Sequence, residues 1–145
     1  DDFCDIEEAC PTTHTQLHGN ESEIDVKRFG PAIKAVRYHS DTIESELHRW
    51  SRSEDVEAIL IDGSAGGEGV AFDWNELRRE LDAAAIQTPI IIAGGLNAAN
   101  VGEVIRTIRP YGVDISSGVE VAKGEKSPDL IRAFCAAVRR ADELS

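Results

Sequence analysis

Short apolar runs that end at glycines or a lone acid, alternating with segments of helical period, constrain this chain more than any other feature. "VEAILID" (56–62) and "PIIIAGG" (89–95) are nearly continuous in apolar residues and have the length of a strand. That is how a strand buried on both faces reads. "THTQLHG" (13–19), "PAIKAVRY" (31–38) and "GVDISSG" (112–118) read as three more strands. Between and around them lie helical patterns at 1–10, 21–29, 41–51, 74–85, 98–109 and 127–145. Asp41 or Thr42 is the expected cap of the third helix; Ser127 with Pro128 opens the last.

The order is one helix, then strand and helix five times. Such alternation specifies an α/β fold with a parallel sheet covered by helices. Nothing marks a linker or boundary, so residues 1–145 read as a single domain. Two architectures fit: a five-stranded doubly wound sheet, or five units of a (βα)8 barrel at about 29 residues each. The opening helix follows no strand, which points to units missing in front.

Both architectures place ligands at the carboxyl ends of the strands. Standing there are His18 with Gly19, Arg37, Asp62, Gly94 with Gly95, and Asp114 through Gly118. Gly94 and Gly95 allow backbone to approach a ligand closely. The helix after Asn97 is expected to aim free amides at the same spot, an anion site built without Lys or Arg. Ser116, Ser117 and Gly118 supply a second nest. Two neighbouring strand ends thus read as a phosphate cradle, the other reading being that Gly94-Gly95 merely makes a tight turn.

Asp62 closes an otherwise apolar strand, where partial desolvation suits a carboxyl to hold a proton near neutrality. Its other reading is a helix cap or loop anchor. The loop "GSAGGEG" (63–69) lacks the Walker ending and is either a lid or a plain connection. Asp114 could bind a ligand hydroxyl or an internal partner, and His18 could touch substrate or solvent. His14, His18, His39 and His48 have no metal-ligand spacing, so no metal is expected.

The net charge of -12, with the acidic residues spread along the chain, argues against nucleic acid as partner. A strongly acidic, Lys-poor surface suits a salt-rich cytoplasm. No apolar run reaches membrane-span length, and no signal peptide is visible. Cys4, Cys10 and Cys135 lie in helical segments and read as buried small residues in a reducing compartment.

"QLHG" (16–19), "IKAVR" (33–37), "LIDG" (60–63), "GGEGVAFDW" (66–74), "AGGLNAANV" (93–101) and "VDISSGVE" (113–120) occur in this order. The set resembles the phosphoribosylanthranilate isomerases, (βα)8-barrel enzymes of tryptophan biosynthesis, over nearly the whole chain. The resemblance implies that these are strands four to eight of an incomplete barrel, with strands one to three absent. It implies an Amadori rearrangement of a phosphorylated sugar without metal or cofactor. Asp62 would be the general acid, and Gly94, Gly95, Ser116, Ser117 and Gly118 the phosphate site. His18 and Asp114 would line the substrate pocket. Glu68 and Val70 depart from the Thr and Lys often found in the family's loop. The family's base, a Cys in a "KICG" motif on the first strand, and a pocket Arg from the early strands have no match here. The 145 residues alone are therefore expected to be inactive. The competing expectations are a non-catalytic phosphate-binding half-barrel that self-associates through open sheet edges, another phosphate-barrel enzyme of the tryptophan or histidine pathways, and a doubly wound signalling or binding domain.

Overall fold

A computed structural model describes residues 2–64 and 73–143. Five parallel strands form one sheet: β1 (Thr15–Leu17), β2 (Ala32–Arg37), β3 (Val56–Asp62), β4 (Ile90–Ala93) and β5 (Gly112–Val113). They lie side by side in chain order, each paired in parallel with the next. The helices are α1 (Asp2–Ala9), α2 (Glu23–Phe29), α3 (Ile43–Trp50), α4 (Trp74–Ala84), α5 (Val101–Ile108) and α6 (Pro128–Asp142). An unreversed strand order is the sheet of a barrel wall. A doubly wound sheet turns back on itself at a switch point.

The helix-side face of the sheet carries the core. Val36, Ile59, Ile61 and Ile92 pack there with Leu47, Trp50, Leu77, Val104, Ile105 and Ile108. Each such side chain, buried, contributes about 2 kcal/mol. The opposite face holds Ile33 and Ala35, half-buried, beside the buried Ala58, Leu60 and Ala93. Arg37 and Asp62 end this second face as register partners on β2 and β3.

Local chemistry sets the helix starts. Ser22 and Asp25 form a reciprocal capping box on α2. The Asp73 carboxylate accepts from the amides of Asn75 and Glu76 at the start of α4. Ser127 caps α6 ahead of Pro128.

Three expectations change, and one element is new. The strand expected over 112–118 stops at Val113, and Ser117–Val119 form a 3-10 turn. There Gly118 packs so closely on the Leu96 carbonyl that a β-carbon would collide with it, a contact open to a turn of small residues. The stretch before α6, to which the sequence reading gives no element, is an antiparallel hairpin, β6 (Glu120–Ala122) and β7 (Glu125–Lys126), turning at Gly124 with φ 83°. Thr42 is the N-cap of α3 but accepts no capping bond with its side chain. Cys10 and Cys135 are exposed, not buried: Cys10 lies just past the end of α1, and Cys135 sits on the outer face of α6. Of the 63–69 loop only Gly63 and Ser64 are described. Glu68 and Val70 lie outside the described residues, as does the side chain of Cys4.

Candidate functional site

The carboxyl ends of the five strands surround a cleft of about 600 Å³. His18, Asp62, Gly94, Gly95, Asp114, Ser116, Ser117 and Gly118 all line it, with Gln16 and Arg37. Of the strand-end residues singled out in the sequence, all but Gly19 thus meet in one place.

Asp62 is half-buried at the end of β3, on the same face of the sheet as Ala35 and Leu60. Its Oδ1 accepts from the Ser64 amide at 2.8 Å. This bond turns the chain off the strand and aims the carboxyl at the cleft. On its far side stands Gly94, with φ 84°. A β-carbon on Gly94 would meet the Asp62 Oδ1, the Ser64 amide and, at 2.8 Å, the Gly63 nitrogen. Gly95, with φ 67°, has nothing within 4 Å of a β-carbon. Gly94 is therefore required by crowding as well as conformation, Gly95 by conformation alone.

The expected free amides at the head of α5 are not free. The Asn97 side chain accepts from the amides of Ala99 at 2.8 Å and Asn100 at 3.2 Å. Asn100 returns the contact: its Oδ1 accepts from the Asn97 amide at 2.8 Å, and its Nδ2 donates to the Gly95 carbonyl at 2.9 Å. This asparagine pair delays α5 to Val101 instead of 98 and locks the 94–97 turn. What remains for an anion is the turn itself and the facing turn at Ser117 and Gly118. Among the described residues, the amides of Gly94, Gly95, Ser117 and Gly118 donate to no backbone carbonyl. A pair of turns with such amides has donors with which an anion could be held.

Nor is the nest without a cation nearby. Lys126, on β7, donates to the Ser116 carbonyl at 2.8 Å and to its hydroxyl at 3.2 Å. It also pairs with Glu120 at 2.7 Å. The bond from Lys126, then that from the Gly124 amide, holds the Glu120 carboxyl below the usual range. Sequence reasoning passed over Lys126. The signal was "VEVAKGEK" (119–126), alternation around a Lys-Gly turn, which marks a hairpin.

A second missed residue is Lys34. It is buried on the helix side of β2 and donates to the carbonyls of Gly19 and Ala35 at 3.0 and 3.1 Å. It pairs with Glu21 at 2.8 Å and lies 5.3 Å from the centre of a Trp50 ring. Glu21 in turn accepts from the Gly19 amide at 2.8 Å. Burial pushes the Glu21 carboxyl up, but the bonds from Lys34 and the local amides outweigh it and hold it low. This clamp fixes the turn that carries His18. His18 and Asp114 are both exposed to the cleft. The Asp114 amide donates to the Ile92 carbonyl at 2.9 Å, which sets the position of the chain as it leaves β5.

Among the described residues no helix is long and apolar enough to cross a membrane.

Residues 2–137 match the profile of the N-(5'-phosphoribosyl)anthranilate isomerase family. An N-(5'-phosphoribosyl)anthranilate isomerase of Magnetococcus marinus is 42% identical over 139 residues, 92% of this chain and 62% of that one. The chain therefore spans about three fifths of that relative's length. The crystal structure of phosphoribosyl anthranilate isomerase from Thermotoga maritima superposes with a TM-score of 0.76 at 31% identity, covering 95% of this chain and 67% of that one. A phosphoribosyl anthranilate isomerase in complex with reduced 1-(o-carboxyphenylamino)-1-deoxyribulose 5-phosphate superposes with a TM-score of 0.75 at 29% identity, over 95% of this chain and 65% of that one.

Proposed function

The chain belongs to the N-(5'-phosphoribosyl)anthranilate isomerase family, and from that membership we propose that its cleft carries the general acid and the phosphate site of the isomerase reaction. The substrate is N-(5-phosphoribosyl)anthranilate. The product is 1-(2-carboxyphenylamino)-1-deoxyribulose 5-phosphate, formed in tryptophan biosynthesis. A cytoplasmic location goes with that reading.

The turns at Gly94–Gly95 and Ser116–Gly118 hold the phosphate. Asp62 gives its proton to the ribose ring oxygen, the C1–O bond breaks, and the aryl nitrogen lone pair forms the iminium. A base then removes the proton from C2, and those electrons flow to the nitrogen to give an enolamine. Protonation at C1, with loss of the proton from the C2 hydroxyl, yields the ketone. No electrons leave the substrate, so the residues need only move protons. His18 and Asp114 line the path of the sugar hydroxyls. The observation that carries this reading is the half-buried carboxyl of Asp62 set against Gly94 at the phosphate turn.

On the same reading the five βα units are strands four to eight of a (βα)8 barrel. The base stands on a strand outside these residues; neither Cys10 nor Cys135 lines the cleft. The 145 residues by themselves are then expected to bind phosphorylated ligands but not to turn substrate over.

Asp62→Asn in the full-length protein tests the assignment. Turnover should fall about 10²- to 10⁴-fold, the usual worth of a positioned acid. Binding of the reduced product analogue should persist. Undiminished turnover would remove Asp62 from the role.

One observation favours a second reading for the 145 residues alone. β1 and β5 are the outer strands of the sheet, with no partner beyond them among the described residues. Open edges favour pairing between copies. Sedimentation at rising concentration distinguishes a dimer of half-barrels from a monomer.

A further inference from the structure

We propose that Asn100 and Lys126 are positioning residues for the phosphate turns, each gripping one carbonyl from behind so that the amide of the same peptide unit is presented to the cleft. This role rests on the isomerase reading above and names what aims the donors that the reading needs.

Both turns repeat one arrangement. In the first, the Asn100 Nδ2 donates to the Gly95 carbonyl at 2.9 Å. In the second, the Lys126 ammonium donates to the Ser116 carbonyl at 2.8 Å, which the Val119 amide also reaches at 3.4 Å. Leu96 and Ser117 line the cleft, whereas neither Asn100 nor Lys126 does. A trans peptide unit is planar, and its C=O and N–H point opposite ways. A carbonyl held on the far side therefore turns the next amide forward. The Gly95 carbonyl does this for the Leu96 amide, and the Ser116 carbonyl for the Ser117 amide. Among the described residues neither amide donates to a backbone carbonyl. The Leu96 amide thus joins those of Gly94, Gly95, Ser117 and Gly118 as an open donor, although the Leu96 side chain is buried.

Each grip is itself fixed. The Asn97 amide donates to the Asn100 Oδ1 at 2.8 Å, which sets the direction of the Nδ2. Glu120 pairs with Lys126 at 2.7 Å and accepts from the Gly124 amide at 3.1 Å. Because Glu120 already answers its charge, Lys126 acts through the direction of its bond more than through a long-range field. A donor on a carbonyl also polarises the peptide and strengthens the N–H on its other side. Without such grips small residues leave a peptide free to rotate: a β-carbon on Gly95 would find nothing within 4 Å.

The test uses the full-length protein and two ligands, the reduced product analogue and the same compound without its phosphate. The unaltered protein should strongly prefer the phosphorylated ligand. Asn100→Ser keeps a capping hydroxyl but is too short to reach Gly95. It and Lys126→Met should each cut the preference about three- to tenfold, the worth of one hydrogen bond. Affinity for the dephosphorylated ligand should hold, and KM should rise while kcat stays near its unaltered value. Lys126→Arg should keep the preference, because a donor returns to the Ser116 carbonyl. Lys126→Met combined with Glu120→Gln should stay as weak as Lys126→Met alone. Recovery in that double variant would mean that Glu120 merely repels the phosphate, and it overturns the role of Lys126. Equal weakening of both ligands marks a structural role and overturns the proposal, and a preference that either variant keeps overturns the role of that residue. Lys126 lies on an exposed hairpin, so its arm decides even where the change at Asn100 costs the fold. An unaltered protein with no preference for the phosphorylated ligand overturns the phosphate site and the positioning with it, whereas an unaltered preference that both variants keep overturns the positioning alone.

Discussion

Asp62 and Gly94 leave no room for a side chain between them: a β-carbon on Gly94 would run into the carboxylate Oδ1. The proposed acid and the proposed phosphate turn are therefore one packed unit, held by the Ser64 amide on one side and backbone at φ 84° on the other.

Gly94→Ala and Gly95→Ala should then differ. At Gly95 only the left-handed conformation is penalised, by about 1–2 kcal/mol. At Gly94 the same strain is joined by overpacking, about 1–3 kcal/mol more. Thermal melts should rank Gly94→Ala well below Gly95→Ala, and kcat/KM should fall further for the former. Equal effects would show that the turn yields easily.

Lys126 should matter to phosphate although it sits on a hairpin outside the sheet. Replacing it by Met removes two bonds to Ser116 and frees Glu120 beside the nest. Binding of inorganic phosphate should weaken several-fold, at about 1–2 kcal/mol for the bonds lost. Lys123→Met, at the exposed turn of the same hairpin, serves as the control and should bind as before.

Lys34→Met should be among the most destabilising single changes at a polar residue. The ammonium is nearly fully buried, and its loss strands Glu21 and two carbonyls. Breaking such a pair costs about 3–5 kcal/mol when both partners are buried, and less here because Glu21 is partly exposed. Denaturant titration gives the value, and Glu21→Gln should recover part of it in the double variant.

Glu80 predicts a pH dependence. Burial raises its carboxyl above the usual range, with Glu76 and Glu44 adding to the rise and the Tyr38 hydroxyl and Arg79 opposing it. The same pairing, after burial, pushes the Tyr38 hydroxyl up. A carboxyl raised on folding favours the protonated native state. Stability from this site is greatest below the unfolded value near 4.5 and falls as pH rises through the folded one. Glu80→Gln should therefore raise Tm at pH 7 and flatten the fall in stability as pH rises above about 4.5. A lower Tm at pH 7 would mean the charged carboxylate is an asset there.

The sheet was legible because its cause is local. "VEAILID" and "PIIIAGG" can only be buried strands, and β3 spans 56–62 as read. The eight strand-end residues were legible because a parallel sheet sends every strand's carboxyl end to the same side. Where reading from sequence went astray, distant contacts had the deciding vote. Ser-Ser-Gly reads as the continuation of "GVDI" until Gly118 meets the Leu96 carbonyl. The head of α5 reads as a row of free amides until Asn97 and Asn100 are seen to answer each other.

Periodicity and residue type alone thus determined five βα units, their order, and a ligand edge of glycine, serine and aspartate. Those properties depend on neighbours within a few positions and on burial, which a pattern of apolar residues records directly. Only the tertiary structure decided which amides stay open, which cation reaches Ser116, and that Arg37 makes no ion pair among the described residues. These are outcomes of competition among polar groups brought together from different strands, and a one-dimensional chain holds no record of who wins.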